Sequence, residues 1–470
     1  MKHLKRKRRH LRPLPVIILL GIIIIMIFSL LFAFSKCGEK STEENTPTKV
    51  TAEKEDENIP DLPDVPVEPD EPVEPEAPVE PEEPKNNDVP KNPDTPKKPD
   101  EPKKPNTPKN PEMTGETRLS FVAFGDNLIH SAIIEDGERL AKEAGKSEKY
   151  YFDPMYENFK DIISSADIAF INQETPIAGP DFPAAGYPNF NTPTEMGDTL
   201  IRLGFDVINT ATNHMLDCRG KGLIHHVDFW KSKEDLGVFQ VGSYRNKEEY
   251  ENIRILEKDG VKIAFLGYTY STNGMTAGSS YPDIYVPLID NNEIVRKVKE
   301  AKELADLVFV SMHWGYEDAF DTSYEQRDTA QALVDAGVDL IIGTHPHVVQ
   351  EMKWKENSEG HKTLIVYSLG NFISTMYYPW NMFGGYLSVD IVKDKDGARL
   401  EAPLFNPTMC HYSMNRRELK LYTLDNYSQD LYNTHGTTLK SSAYSYDKIV
   451  ATVKKYIPEE FLTNYYIEYK

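Results

Sequence analysis

The chain has 470 residues, 39% of them hydrophobic and 27% charged, with a net charge of −21. So large an acidic excess excludes nucleic acid as a partner, because phosphate-backbone binding needs a basic footprint. Three cysteines, Cys37, Cys218 and Cys410, are too few for a disulfide framework. Free thiols are the plainer reading, with one Cys218–Cys410 pair as the alternative.

Residues 1–13 form a basic tail, in which MKHLKRKRRHLR carries seven Lys/Arg and no acid. Residues 14–35 (LPVIILLGIIIIMIFSLLFAFS) are apolar and uncharged, long enough to cross a ~30 Å hydrocarbon core at ~1.5 Å per residue. The basic flank predicts a cytoplasmic N-terminus at the cell membrane, with everything after residue 36 outside. An uncleaved single-pass anchor is favoured over a cleaved signal peptide. The apolar run exceeds the ~7–15 residues of a signal core, and no A-x-A-like site follows. Phe34-Ser35-Lys36 before Cys37 does not read as a lipobox. Residues 1–37 hold eight positive charges and no acid, which leaves −29 on the remainder.

Residues 36–116 read as a disordered linker whose centre is a proline array, VPVEPDEPVEPEAPVEPEEPKNNDVPKNPDTPKKPDEPKKPNTPKNPEM. Proline at this density removes amide donors and favours extended polyproline II. About 50 such residues would reach on the order of 150 Å at ~3.1 Å per residue. An acidic half (65–83) precedes a Lys-rich half (85–109). A stalk that holds a domain away from the membrane is the favoured reading over a wall-docking motif.

A folded domain is expected from 117 to 470. Its predicted helices are 135–146, 155–166, 194–204, 220–237, 291–305, 323–337 and 447–457. Three of them stop at glycines, Gly204, Gly237 and Gly337, the usual left-handed stop. Asp396-Gly397 is the turn of a late hairpin.

The β-like runs between these helices carry the chemistry. LSFVAFGD ends at Asp126, ADIAFINQE at Glu174, and FDVINTATNH at Asn213-His214. DLVFVSMHWG brings His313, DLIIGTHPH brings His345 and His347, and TLIVYSLGN ends at Asn371. KIAFLGY (262–268) ends at Tyr268 and reads as a structural strand. Buried parallel strands are continuous apolar runs because helices cover both faces, and functional groups collect beyond their carboxyl ends. Imidazoles with carboxylate and amide oxygens are the ligand set of a mid-series divalent metal. In an extended segment, His345 and His347 would both point to one side and reach adjacent ions. The bland reading of His214 is a brace for the Asn213 loop. His225-His226 sit on a helix and point in different directions, so they read as solvated or packing residues rather than metal ligands. Trp314 and Tyr316 are expected to line the pocket, with Trp354, Tyr377 and Trp380 as its outer wall. The loop 180–193 is expected over the site, with Asn189 or Asn191 as substrate contacts.

Taken in order, FGD (124–126), NQETP (172–176), TNH (212–214), VSMHWG (310–315), GTHPH (343–347) and YSLGNF (367–372) resemble the calcineurin-like metallophosphoesterase superfamily. Within it they resemble the CapA/PgsA-type capsule-synthesis (poly-γ-glutamate biosynthesis) family, over about 118–375. The resemblance implies an α/β, four-layer αββα sandwich and two divalent ions (Mn, Fe or Zn). It further implies that Glu174 bridges the ions, that Asp126 and His347 hold the first, and that Asn213, His313 and His345 hold the second. His214 would be the catalytic outer-sphere imidazole, and Asn371 would orient a ligand or bind substrate. One departure stands out. The superfamily places a His two residues after the first Asp, where this chain has Leu128, and His130 lies two further on. The implied role is synthesis, export or anchoring of a capsular polymer, with an anionic polymer or phosphoester as substrate and polymer-synthase membrane subunits as partners. The alternatives are a non-catalytic accessory subunit and a wall-binding module.

Overall fold

The computed structural model describes residues 115–437 and 445–469. The 14–35 anchor, nearly all of the 36–116 linker and Cys37 lie outside the described residues. Among the described residues, no helix is long and apolar enough to cross a membrane.

The strands in chain order are β1 (Thr117–Asn127), β2 (Ile168–Asn172), β3 (Val207–Asn209), β4 (Phe239–Val241) and β5 (Ile255–Lys258). They continue with β6 (Val261–Thr269), β7 (Leu307–His313), β8 (Leu340–Thr344), β9 (Met352–Glu356) and β10 (Lys362–Val366). The last are β11 (Asn371–Ile373), β12 (Phe383–Asp394), β13 (Gly397–His411) and β14 (Lys420–Thr423). One sheet runs β14-β13-β12-β1-β2-β3-β4, with β11 added to the end of β1, and the other runs β5-β6-β7-β8-β10-β9. Each has a parallel block: β1 to β4, with antiparallel strands on the β1 side only, and β6-β7-β8-β10, with an antiparallel strand at each edge.

The sheets face each other through aromatic side chains. Phe121 of β1 meets Phe309 edge-on at 5.2 Å, and Phe265 meets Phe309 at 5.4 Å. Such pairs add about 0.5–1.5 kcal/mol each beyond their burial. Three residues along β1, Phe124 points the other way, onto Phe159 and Phe205, as the period of two along a strand requires.

On the outer face of the second sheet, the helix Asn291–Leu304 buries Ile294, Val298 and Ala301, and Tyr324–Asp335 buries Leu333 and Val334. These side chains join Ala264, Leu266, Val308 and Val310 in one apolar cluster. The 294/298/301 spacing is the stripe of a helix with one buried face. Asp290 caps the first of these helices, and Ser323 with Gln326 forms a capping box on the second.

Most expected helices form within a few residues of their predicted bounds. Gly204 and Gly337 have φ of 102° and 83° at two of the stops. Two expectations are not met: 220–237 ends at Lys231, with Gly237 closing a separate 3₁₀ turn Glu234–Leu236, and 155–166 breaks into Asp153–Tyr156, a 3₁₀ turn Glu157–Phe159 and Lys160–Ser165. Tyr156 and Phe159 are fully buried, and the Tyr156 hydroxyl donates to Asn127 Oδ1 at 2.6 Å. Anchoring two rings outweighs the regular helical spacing. Cys218 and Cys410 are free, their thiols donating to the carbonyls of Phe190 and Ser374.

Segment 367–370 stitches the two sheets together. Leu369 N donates to Gly343 O at 3.1 Å, and Asp126 N donates to Gly370 O at 3.0 Å. A Cβ on Gly343 would stand 1.9 Å from Tyr367 O, and one on Gly125 would stand 2.0 Å from Gly370 O. Only glycine permits so close a backbone approach.

Candidate metal centre

Strand register brings the polar strand ends level. Asp126 lies opposite Asn172 and Asn371, Asn172 opposite Asn209, and His313 opposite Thr344. Along the first sheet these residues form a buried amide chain. Asn209 Nδ2 donates to Asn172 Oδ1, and Asn172 Nδ2 donates to Asp126 Oδ1, both at 2.7 Å. This fixes one carboxylate oxygen of Asp126. Its Oδ2 accepts from His345 N at 3.2 Å and lies 3.1 Å from His347 Nδ1.

The ends differ in detail from the sequence reading. β2 stops at Asn172 and β3 at Asn209, so Glu174 and Asn213 lie on the loops that follow. Asn371 opens β11 rather than ending β10. The His345-Pro346-His347 segment is not extended: φ is 95° at His345 and 59° at His347. Left-handed backbone at a non-glycine residue costs of order 1–3 kcal/mol and persists where the surroundings impose it. The two rings lie 5.8 Å apart, centre to centre.

Glu174 is fully buried, and neither carboxylate oxygen has a hydrogen-bond partner. Its Oε1 stands 3.9 Å from His313 Nε2 and 3.7 Å from His347 Nε2. Those gaps are too long for hydrogen bonds. They suit atoms sharing a cation, since ligands at ~2.0–2.2 Å from an ion stand about 3–4 Å apart. His345 Nδ1 is likewise buried and without a partner. Asp126, Glu174 and His347 form one set of converging donor atoms, and Glu174, His313 and His345 form another, with Glu174 common to both. The donors are carboxylate and imidazole, so the residues present fit divalent-metal binding.

Asn213 Oδ1 lies 3.0 Å from His313 Nε2, and its amide nitrogen donates to Asn273 Oδ1 at 3.3 Å, which turns the oxygen toward the histidine. Thr212 Oγ1 donates to the Glu174 carbonyl at 2.6 Å and ties the two loops. His313 Nδ1 is 3.0 Å from Thr344 Oγ1.

Burial and crowding set the protonation states. Burial, reinforced by Asp126, Glu317 and Asp217, pushes the Glu174 carboxyl well above its usual range, against the pull of His347. Burial and the neighbouring imidazoles hold His313 and His345 well below the ordinary histidine value, leaving neutral rings. Burial also opposes charge on His347, but Glu174 and Asp126 overcome it and lift the ring to about 10.

The remaining expected residues fall on both sides of the site boundary. His214 Nδ1 is 2.9 Å from Asp217 Oδ2, and its ring meets Phe190 edge-on at 4.7 Å. Loop 180–193 therefore reaches the site through Phe190, whose N–H also donates to Asp217. Asn371 Oδ1 lies 3.0 Å from His347 Nδ1, and its amide donates to Asn381 O at 3.0 Å, the geometry of a ligand-orienting residue.

Asn191 is not a substrate contact. It is 4% exposed, its amide donates to the carbonyls of Gly179, Phe182 and Pro183, and its oxygen accepts from Ala178 N. It holds its own loop together. Trp314 does not line the pocket either. It stacks on Tyr367 in the core under the outer helices and donates to Tyr367 O at 2.9 Å. The alternation of side chains along an extended strand sends His313 inward and its neighbour to the opposite face. His130 belongs to none of the donor sets; its Nδ1 accepts from Thr375 N at 3.4 Å, and its ring faces Phe190. His226 Nδ1 accepts from Ile177 N, a packing role.

Four contributors were not read from the sequence. Asn172 and Asn209 end apolar strands, a signal like that of Asp126. Tyr270 follows the strand set aside as structural, and its ring lies 4.4 Å from His345. Glu317, exposed, completes a third donor set with His345 and His347.

Two facing sheets whose parallel strands deliver a shared, unpartnered carboxylate and converging histidines define an α/β protein with a candidate divalent-metal centre. The chain belongs to the family described as "Bacterial capsule synthesis protein PGA_cap", whose model matches residues 120–376. It is 31% identical over 256 residues to the PGA biosynthesis protein CapA of Bacillus subtilis, covering 53% of this chain and 64% of that protein. It is 35% identical over 175 residues to the capsule biosynthesis protein CapA of Bacillus anthracis, covering 36% and 40%. The chain thus spans less than two thirds of either relative. Among solved structures, a novel phosphatase of Mycoplasma pneumoniae aligns with a TM-score of 0.37 at 12% identity, over 62% of this chain and 94% of that one. The NAD nucleotidase of Haemophilus influenzae aligns with a TM-score of 0.37 at 11% identity, over 72% and 60%. Likenesses at this level are too weak to carry a function.

Proposed function

We propose that this protein is a membrane-anchored, extracytoplasmic hydrolase of the metallophosphoesterase type, with a four-layer αββα sandwich, acting in synthesis, export or anchoring of a capsular polymer of the poly-γ-glutamate class. The observation that carries this reading is the buried Glu174 carboxylate, without hydrogen-bond partners, shared by two donor sets. Asp126, Glu174 and His347 would hold one divalent ion; Glu174, His313, His345 and Asn213 would hold the second, with Mn, Fe or Zn suited to these donors. The chemistry such ions supply when bound is polarisation of a phosphoryl oxygen and activation of water near neutral pH.

The chain's own residues do the rest. Asp217 orients the His214 ring, which would serve as the general acid toward the leaving oxygen. Phe190, packed on that ring, limits water on its other side. Asn371 holds His347 in register with Asp126. The 14–35 span would anchor the chain in the membrane, and the relatives named for PGA and capsule biosynthesis support the polymer role.

The adjacent pair Asn213-His214 tests the reading with Mn²⁺ and an aryl phosphodiester. Asn213→Ala should weaken binding of one ion. His214→Ala should keep the metal but lower kcat by roughly 10²–10⁴-fold. Equal metal loss in both variants would make His214 a ligand or a brace. A metal-replete wild type inert on every phosphoester tried would leave a non-catalytic accessory subunit of a polymer synthase.

A further inference from the structure

We infer that Glu317 is a solvent-side ligand of the metal centre, a carboxylate that an incoming anionic substrate must displace. The inference rests on the metal-centre reading above and assigns the open face of that same site.

Glu174 and Glu317 approach the histidines from different environments. Glu174 is fully buried, whereas Glu317 is exposed, yet its carboxylate converges with donor atoms of both His345 and His347. His345 and His347 belong to different sets when each is grouped with Glu174. One exposed carboxylate therefore reaches ligands of both ions, as the buried one does. His345 Nδ1 is buried and without a hydrogen-bond partner in the chain.

The backbone that carries Glu317 is built to hold it there. Gly315 has φ 84° and Asp318 has φ 63°, so the chain reverses sharply on both sides of Glu317. Asp318 N donates to Pro346 O at 2.9 Å, the residue between the two histidines. Asp318 Oδ1 accepts from Asn381 Nδ2 at 2.7 Å and Trp380 Nε1 at 3.0 Å. Asn381 in turn accepts from Asn371, which holds His347. The Glu317 turn and the histidine turn are thus one hydrogen-bonded unit. An ordinary surface glutamate has no such support.

A carboxylate in that position does two things. It adds a negative oxygen ligand, which strengthens cation binding, and it fills coordination space that a phosphoryl or carboxylate oxygen of a substrate needs. Resting affinity for metal and affinity for anions are therefore opposed at one side chain.

The test uses the full-length protein, Mn²⁺ alone, and then inorganic phosphate at saturating Mn²⁺. Glu317→Gln should lower Mn²⁺ affinity at least ~10-fold, as loss of a metal-site interaction does, and should tighten phosphate binding. Glu303→Gln, a change at another exposed glutamate, should alter neither. Unchanged Mn²⁺ affinity in Glu317→Gln, alongside loss of Mn²⁺ in His345→Ala, would overturn the Glu317 assignment and leave the metal centre standing. Unchanged affinity in both variants would overturn the metal centre itself. Weaker Mn²⁺ binding with unaltered phosphate binding would overturn the displacement. Glu317 is exposed, so circular dichroism should show a wild-type fold in the variant.

Discussion

Two groups of buried histidines in this molecule invite comparison, His313/His345/His347 at the strand ends and His411/His435 beside the C-terminal strands. Burial holds both members of the second group down to about 4. Three of their four ring nitrogens are engaged within the chain. His411 Nδ1 lies 2.7 Å from the Tyr427 hydroxyl, while His435 Nε2 lies 3.0 Å from Cys410 O and its Nδ1 accepts from Thr437 N at 3.0 Å. In the first group, His345 Nδ1 has no partner, the neighbouring Glu174 has none on either oxygen, and two of three histidines sit on left-handed backbone. Burial is common to both groups, and a depressed ring pKa is shared by His313, His345, His411 and His435, so neither marks the site. The orphaned atoms and the backbone strain distinguish a place built for a ligand from one built for packing.

The sharpest way to break this comparison is Glu174→Gln. Mn²⁺ affinity, read by equilibrium dialysis, should fall more than the ~10–100-fold typical of changes outside the ligand shell. The metal-free protein should melt slightly earlier than wild type, because the buried amide is as short of partners as the carboxyl and the charge beside His347 is lost. Wild-type metal affinity in this variant would remove Glu174 from the site.

Proton linkage is the next effect in size. His347, lifted to about 10, carries a proton at neutral pH. Its favourable contribution to the metal-free fold is complete below the ordinary histidine pKa and lost as pH rises through about 10. A cation must displace that proton, so metal affinity should rise roughly tenfold per pH unit between about pH 6 and 8. Calorimetry in buffers of different ionisation heat should show proton release, and a flat profile would contradict the shared-carboxylate arrangement.

The smallest effect on metal is expected at the other group. His435→Ala should leave Mn²⁺ affinity unchanged while lowering stability by about 2–4 kcal/mol through lost packing and unpaired polar groups. A loss of metal there would erase the distinction between the two groups.

Much of this was legible in the sequence because parallel strands buried on both faces announce themselves as apolar runs, and the polar residue after each is hard to explain by packing. Asp126, His313, His345 and His347 stand out on that ground. Asn172 and Asn209 were passed over because strand ends were placed two to four residues too late, at the more conspicuous Glu174 and Asn213-His214. Trp314 was misplaced by adjacency, since neighbours on a strand face opposite ways. Asn191 was misjudged because a loop's internal hydrogen bonds leave no sequence period. Glu317 escaped notice because it meets the histidines only through two left-handed turns, at Gly315 and Asp318.

The stitch at 367–370 sets how this molecule can adapt to what it binds. Layered proteins often close around a ligand by sliding one layer over another. Here Gly125 and Gly343, one in each sheet, lie in backbone contact with the same four-residue segment, immediately beside Asp126 and Thr344. Shear between the layers is blocked at the level where the donor atoms are spaced, so the spacing of Asp126, Glu174 and the histidines behaves as a built-in gauge. Accommodation of bound groups of different girth then falls to the two turns at the rim, 180–193 and 315–318, and altering selectivity means redesigning loops while the layers stay untouched.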